Sequence, residues 1–398
     1  MIRGVGSYEK SRVGKGVLFR KLKTVAICSI FLVVTTFNSY YIVEGNYALK
    51  KQTPIILEEG EHGGIFCIQN GFMYLGVQNT TQTEDFISMQ IVDVREPENP
   101  TRLGKYELDT SEHILKMEVK EKIAYLLRVK SYLGVGNWTV TLLNVTEPAN
   151  PVQLASTVVE NVTHPAWDMW DLAIHNNYLY VSTDSSMEIF DCSNLTSPMK
   201  VANYTSLIGD IYINNNYLYL VCGGVSIYDS TNSTSPVLIG KVNGTKHTRA
   251  GSGIFGNYII SAFWWSGLQV YNCTNPVQPT ICGNYEFPQR ETYPGGQIHA
   301  MEIQGEKLFA AGRKVYVFDL SNLQDIKRIA RKTMGERDAY GIALSGNYIY
   351  TTTYHAIKVF LFEENSLWRN VGLGIGLGIL LPVAVIVTLR IRSQKRKT

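Results

Sequence analysis

Charge is scarce in this 398-residue sequence: Asp, Glu, Lys and Arg make up only 18% of it. That excludes a disordered acidic or basic tail and a charged helical rod as the main body. Cysteine is scarce too, 6 in all, and Cys28 lies in an apolar run, which leaves an odd five elsewhere. An odd number without any C-x-x-C pair excludes a disulfide framework and a thiolate zinc site. The sequence also lacks H-E-x-x-H, G-x-S-x-G, a D-x-[DN]-x-[DN]-G calcium loop and a sialidase-type Asp-box. "GSGIFG" at 251–256 matches G-x-G-x-x-G, but it sits among strands with no helix after it, so it does not read as a dinucleotide site. The expected function is therefore not enzymatic.

Net positive charge is missing from the body of the chain. Residues 1–23 carry a net +6 and residues 390–398 carry +5, which leaves −8 between them out of an overall +3. An acidic body lacks the basic face that phosphates require, so no nucleic-acid partner is expected.

Long apolar runs are confined to the ends. "VGLGIGLGILLPVAVIVTL", residues 371–389, has no charge and is followed by "RIRSQKRKT". Nineteen residues at about 1.5 Å each just cross a ~30 Å hydrocarbon core, and the basic residues after them place the C-terminus in the cytoplasm. "VAICSIFLVVTTF", residues 25–37, follows a basic region and reads as a signal peptide or, with "NSYYIV", as a signal anchor. The expected division is a basic region with signal or anchor at 1–44, an ectodomain at 45–365, a transmembrane helix at 366–389 and a basic tail at 390–398. The protein is then single-pass or two-pass in the cell membrane, with its body on the extracellular side. Gly372, Gly374, Gly376 and Gly378 form two overlapping G-x-x-x-G patterns that would let two such helices meet as a homodimer.

What the body does contain is tyrosine, Asn-x-Ser/Thr triplets and a repeat. The triplets number nine, all between 79 and 274, and fit a glycosylated surface protein. Asn79, Asn137, Asn161, Asn194, Asn203, Asn232 and Asn243 are the glycosylation candidates. Asn144 and Asn272 have a competing structural role, because they belong to a recurring turn. In that turn an Asp or Asn ends an apolar run and Pro follows seven residues later: Asp93/Pro100, Asn144/Pro151, Asp191/Pro198, Asp229/Pro236 and Asn272/Pro279. A sixth copy, Asp319, has Ile326 in place of Pro. A short acceptor side chain bonds backbone N–H groups two or three residues on. All six therefore read as turn-structural rather than catalytic.

A hairpin precedes each turn: an apolar strand, a polar two- or three-residue turn and a Tyr-rich strand, as in "LAIHNNYLYVS" (172–182) and "IYINNNYLYLV" (211–221). Seven hairpins align on Tyr74, Tyr125, Tyr180, Tyr219, Ile260, Phe309 and Tyr350. Hairpin plus turn makes a four-strand unit of about 40–50 residues, the period of a propeller blade. The fold expected is all-β, a seven-bladed propeller. The last unit lacks an outer strand, which "YALKKQTPIIL" (47–57) is expected to supply, removing an exposed edge.

"IVDVREPENP", "LLNVTEPANP" and "IYDSTNSTSP" resemble the LVIVD repeat of archaeal and bacterial surface proteins. The resemblance implies a β-propeller at the cell surface and implies no reaction.

Two candidate binding regions follow. Inner-strand starts, found by counting back from the aligned aromatics, bring His62, His113, Asp168, Asp171, Asp210, His299 and Asp338 to the channel mouth. Imidazoles and carboxylates converging there can hold a divalent metal or an anionic ligand; a solvated ring of polar side chains is the competing reading. Trp138, Trp167, Trp170, Trp264 and Trp265 lie before or between strands and serve either as rim platforms for a partner or glycan or as packing between blades. Cys273 and Cys282 flank one turn and are candidates for a disulfide. The leading expectation is a membrane-anchored, glycosylated surface propeller that binds a cell-surface protein or glycan, with no cofactor. The alternative is an extracytoplasmic enzyme or metal-binding sensor at the channel mouth.

Overall fold

The computed structural model describes residues 47–364, apart from 59–60, 81–84, 109–112, 130–135, 163–169, 184, 246–250, 264–265, 289–297, 336–337 and 354–355. The terminal apolar segments and basic tails lie outside the described residues, and among the described residues no helix is long and apolar enough to cross a membrane.

β1 (Tyr47–Lys51) and β2 (Ile55–Ile56) open the described chain. Blade one is β3 (Glu61–Gln69), β4 (Phe72–Thr80), β5 (Asp85–Asp93) and β6 (Thr101–Glu107); blade two is β7 (His113–Lys120), β8 (Ile123–Val129), β9 (Gly136–Asn144) and β10 (Val152–Val162). Blade three is β11 (Asp171–His175), β12 (Tyr178–Ser182), β13 (Ser186–Asp191) and β14 (Met199–Thr205). Blade four is β15 (Asp210–Asn214), β16 (Tyr217–Val221), β17 (Gly224–Asp229) and β18 (Val237–Asn243). Blade five is β19 (Gly251–Phe255), β20 (Tyr258–Phe263), β21 (Gly267–Asn272) and β22 (Thr280–Tyr285). Blade six is β23 (Ile298–Gln304), β24 (Lys307–Gly312), β25 (Lys314–Asp319) and β26 (Lys327–Thr333). Blade seven is β27 (Gly341–Ser345), β28 (Tyr348–Thr353) and β29 (Ala356–Glu364), completed by β1.

Every blade is an antiparallel meander, and the innermost strands touch in sequence from β3 through β7, β11, β15, β19 and β23 to β27 and back to β3. The protein is a seven-bladed β-propeller. Its apolar core consists of seven separate clusters, one at each seam between neighbouring blades. This explains why the second strand of each unit is so uniformly apolar. A blade covered on both faces has no solvent side, so β16 is buried from Leu218 to Val221 without alternation. Each such Leu or Val contributes about 1.5–3 kcal/mol by leaving water.

The turns repeat in detail. The first residue of each inner hairpin has a left-handed backbone, with φ between 49° and 58° at Asn70, Glu121, Asn176, Asn215, Gly256, Gly305 and Gly346. In the longer turns the oxygen Oδ1 of Asp93, Asn144, Asp191, Asp229, Asn272 and Asp319 accepts the backbone N–H two residues on, at 2.8–3.0 Å. A β-turn follows at a constant offset, from Asn99 N to Glu96 O in blade one to Asp325 N to Asn322 O in blade six. Ile326 in place of Pro leaves this turn intact: Asp319 still pairs with Lys327 as Asp93 pairs with Thr101.

One device was not visible from the turn alone. In each of the six outer strands the third residue (Leu103, Leu154, Val201, Ile239, Cys282 and Ile329) is a bulge skipped in the ladder. The next residue is always small: Gly104, Ala155, Ala202, Gly240, Gly283 or Ala330. The bulge coils the outer strand and brings it against the turn of the next blade. A Cβ on Gly240 would overlap the Pro276 carbonyl oxygen, and one on Gly283 would overlap that of Leu323. Gly283→Ala is therefore expected to destabilise the protein by about 1–3 kcal/mol through overpacking. A lowered thermal midpoint reads this out, with Ala330→Gly as the control that introduces no overlap. An unchanged midpoint for Gly283→Ala would mean that the neighbouring turn yields without cost.

Candidate functional site

Antiparallel pairing sorts the connections onto two faces. Two-residue hairpins and seven-residue turns occupy one, the turn face. On the other, the loop face, connections run from one residue (Arg313, between β24 and β25) to twelve (286–297, between β22 and β23). Scaffolds of this kind carry function on the variable side, because loop length is free to change without disturbing the packed strands.

The inner strands register identically. Each of the seven aligned residues pairs with the residue seven positions earlier: Cys67, Glu118, Ala173, Tyr212, Gly253, Glu302 and Ala343. Two positions nearer the loop face in blades two to four stand Lys116, Asp171 and Asp210. Lys116 is the cation among these layers. Its Nζ lies 2.8 Å from Asp171 Oδ1, and 42% of its side chain is accessible although protein surrounds it. That combination belongs to a side chain standing in an open central channel.

The carboxylates around Lys116 stitch blade to blade. Glu118 Oε2 accepts the Ile174 N–H at 3.2 Å, and Asp171 Oδ2 accepts the Ile211 N–H at 2.8 Å. Asp210 Oδ2 accepts from the Ser252 hydroxyl, whose residue also takes the Tyr212 hydroxyl on its carbonyl at 2.6 Å. The Asp171 charge, first of all, holds Lys116 above the usual lysine range. Burial pushes Asp171 up against the opposing pull of Lys116, and burial likewise raises Glu302. Glu118 is pushed up to about 7, mainly by burial and then by Asp171, against the Ile174 N–H, Lys116 and Lys120. Burial also pushes the Cys67 thiol up to about 12, so it is no thiolate nucleophile at neutral pH.

The seven residues expected at the channel mouth fall into separate groups. Asp168 lies outside the described residues. Asp171 and Asp210 sit in the channel layer just described. His62 and His113 stand at the starts of the adjacent strands β3 and β7. His299 and Asp338 meet at the seam of blades six and seven, Nε2 to Oδ2 at 3.5 Å, with Arg313 Nε also 3.5 Å from Asp338. Among the described residues no group of three or more His, Cys, Asp or Glu side chains is arranged to hold a metal ion. Counting back twelve residues missed Lys116, Glu118 and Glu302. The ladders of β3, β7 and β23 are interrupted by bulges, and a count that crosses a bulge changes face. The signal that finds Glu118 and Glu302 is the seven-residue offset within the hairpin, and Lys116 stands two residues before Glu118.

Other candidates are placed as follows. Asn137, Asn194, Asn203, Asn232 and Asn243 are exposed, whereas Asn144 and Asn272 are half-buried in their turns. Asn161 pairs directly with Asn137 across β9 and β10, and Asn79 lies one residue from the end of β4. Cys273 and Cys282 are both free thiols. Trp138 is fully buried and meets Trp170 edge to face at 5.8 Å in the seam of blades two and three; Trp167, Trp264 and Trp265 lie outside the described residues. The turn carboxylates Asp93, Asp191, Asp229 and Asp319 are held below the usual range by the donors of their turns, the reverse of a general acid.

Glu118 makes stability depend on pH with a defined sign. Its folded pKa, about 7, lies above the ordinary 4.5, so the folded protein holds the proton more tightly than the unfolded chain. The stability linked to that proton is complete below about pH 4.5 and is lost as pH rises through 7. Glu118→Gln should remove this loss, so the difference in unfolding free energy between variant and wild type should grow from pH 4.5 to pH 8 in denaturant titrations. A difference that does not change with pH would refute the assignment.

Comparison with known proteins agrees with this geometry. No curated protein matches the chain. Among solved structures, the computationally designed Ika8 protein is similar with a TM-score of 0.53 at 10% identity, over 78% of this chain and 99% of that one. A chain of the mitotic checkpoint complex is similar with a TM-score of 0.56 at 9% identity, over 79% of this chain and 93% of that one. At such identities the likeness is one of fold alone. The LVIVD repeat profile matches residues 167–206, 253–286 and 336–353, in blades three, five and seven, and the blades between them have the same turns and offsets. The chain is thus a seven-bladed β-propeller that carries LVIVD repeats.

Proposed function

We propose that the protein is a membrane-anchored, glycosylated surface module that presents the loop face of its propeller to a cell-surface partner. One observation carries this reading. Tyr47, where the described chain begins, pairs across the ladder with Glu364, where it ends. Both stand on the turn face of blade seven, so the apolar segments at 25–37 and 371–389 would tether that side and leave the loop face turned outward. The exposed Asn-x-Thr triplets and the acidic body add support, since neither suits a nucleic-acid-binding protein. A propeller carrying LVIVD repeats is an interaction scaffold, and in this one the channel carboxylates Glu118, Asp171 and Asp210 accept hydrogen bonds from backbone N–H and hydroxyl groups of the neighbouring blade.

The test uses the full chain in cells, with one epitope tag inserted between Gln289 and Gln297 on the loop face and another after Asn232 on the turn face. The protein should stay with membranes after an alkaline wash, and antibody should label the first tag on intact cells more strongly than the second. Release by the wash would sink the anchor, and labelling of the loop tag only after permeabilisation would sink the orientation.

A further inference from the structure

The loop face is unevenly clothed. Asn79, Asn137, Asn161, Asn203 and Asn243 all stand at or near strand ends on this face, and all belong to blades one to four. Blades five to seven have no such triplet on the loop face. Within that bare sector, blade six reverses the charge of the body. Residues 298–333 of blade six carry seven Lys and Arg against four Asp and Glu. Four of those cations, Arg313, Lys314, Arg331 and Lys332, lie toward the loop face.

At the centre of this sector is a compact group. Asp338 lies between His299 and Arg313, each 3.5 Å away, and the three side chains are 15% (His299), 23% (Asp338) and 41% (Arg313) exposed. Tyr340 is 62% exposed, the most open aromatic among the large exposed side chains of the described residues. Its ring centre is 5.2 Å from that of His299, at 45°. The mount is rigid: Ala339 is fully buried, its N–H bonds Gly312 O at 2.9 Å, and the Tyr340 N–H bonds Thr352 O at 3.2 Å.

We infer that this group, at the seam of blades six and seven, is a binding site for a saccharide bearing a carboxylate. An exposed aromatic face held in place offers an apolar platform to the C–H side of a sugar ring. Asp338 accepts hydrogen bonds from hydroxyls, which sugars provide and phosphate esters largely do not. Arg313 presents a planar fork that matches a carboxylate in two parallel bonds. Lys314 and Lys332 bias the local field toward an anion. The inference rests on the reading of the protein as a surface binding module and names the ligand class of that module.

The experiment uses the full-length protein in nanodiscs, with galacturonic acid tetramer and the neutral galactose tetramer as probes, measured by calorimetry. The acidic tetramer should bind more tightly than the neutral one, and added salt should weaken it. Tyr340→Ala and Arg313→Ala should each weaken binding at least tenfold, while Tyr340→Phe keeps it, at unchanged thermal midpoints. Equal affinity for both tetramers, or unaltered binding by Tyr340→Ala, overturns the proposal. A protein that binds neither tetramer but still binds protein fractions of the cell surface overturns this ligand class and leaves the binding-module reading standing. Binding to no surface fraction at all removes both.

Discussion

The pairing of β1 with β29, from Tyr47 opposite Glu364 to Lys51 opposite Phe360, closes a ring in which every seam is apolar. Each blade hides both of its faces against neighbours, so opening the ring would expose two blade faces at once. Leu49, from β1, is buried in the cluster shared by blades six and seven, so one short strand contributes both a ladder and a core contact. The geometry of the remaining strands depends on that closure, because no blade has a core of its own.

Closure also decides where chemistry can occur. With the core divided among seven seams, the centre of the molecule is left to a channel, and polar side chains there answer to neighbouring blades. Glu118, Asp171 and Asp210 each reach across to the next inner strand. A buried carboxylate without a partner is costly, and these three are satisfied by fixed N–H and O–H donors at the point where blades converge. The perimeter is different. The outer strands of blades two to five expose Val152, Met199, Val237 and Ile281, whereas that of blade six begins Lys327-Arg328. The ring is thus symmetric in its backbone and asymmetric in its surface.

Much of the scaffold was legible along the chain. The Asp or Asn that ends each third strand and the Pro seven residues later mark a local turn whose hydrogen bonds span a few residues. Such a device is readable because it is completed by its own neighbours. The hairpins were legible for the same reason, through Asn and Gly at left-handed positions. The outer-strand bulge was less so, although the small residue at Gly104, Ala155, Ala202, Gly240, Gly283 and Ala330 was its trace. Its reason lies in another blade, where turn carbonyls leave no room for a Cβ at Gly104, Gly240 and Gly283.

The sequence by itself determined the repeat, the four-strand unit, the number of blades and the role of the six turn Asp and Asn residues, because each follows from short-range periodicity and turn chemistry. It also marked the terminal strand that completes blade seven, since an unpaired edge there had one available filler. Tertiary structure alone decided which polar residues meet. Lys116 finds Asp171 from 55 positions away, and Arg313, His299 and Tyr340 gather around or beside Asp338 from three different connections or strands. Those meetings depend on ring closure and on bulges that shift the strand register, and neither is a local property of the chain.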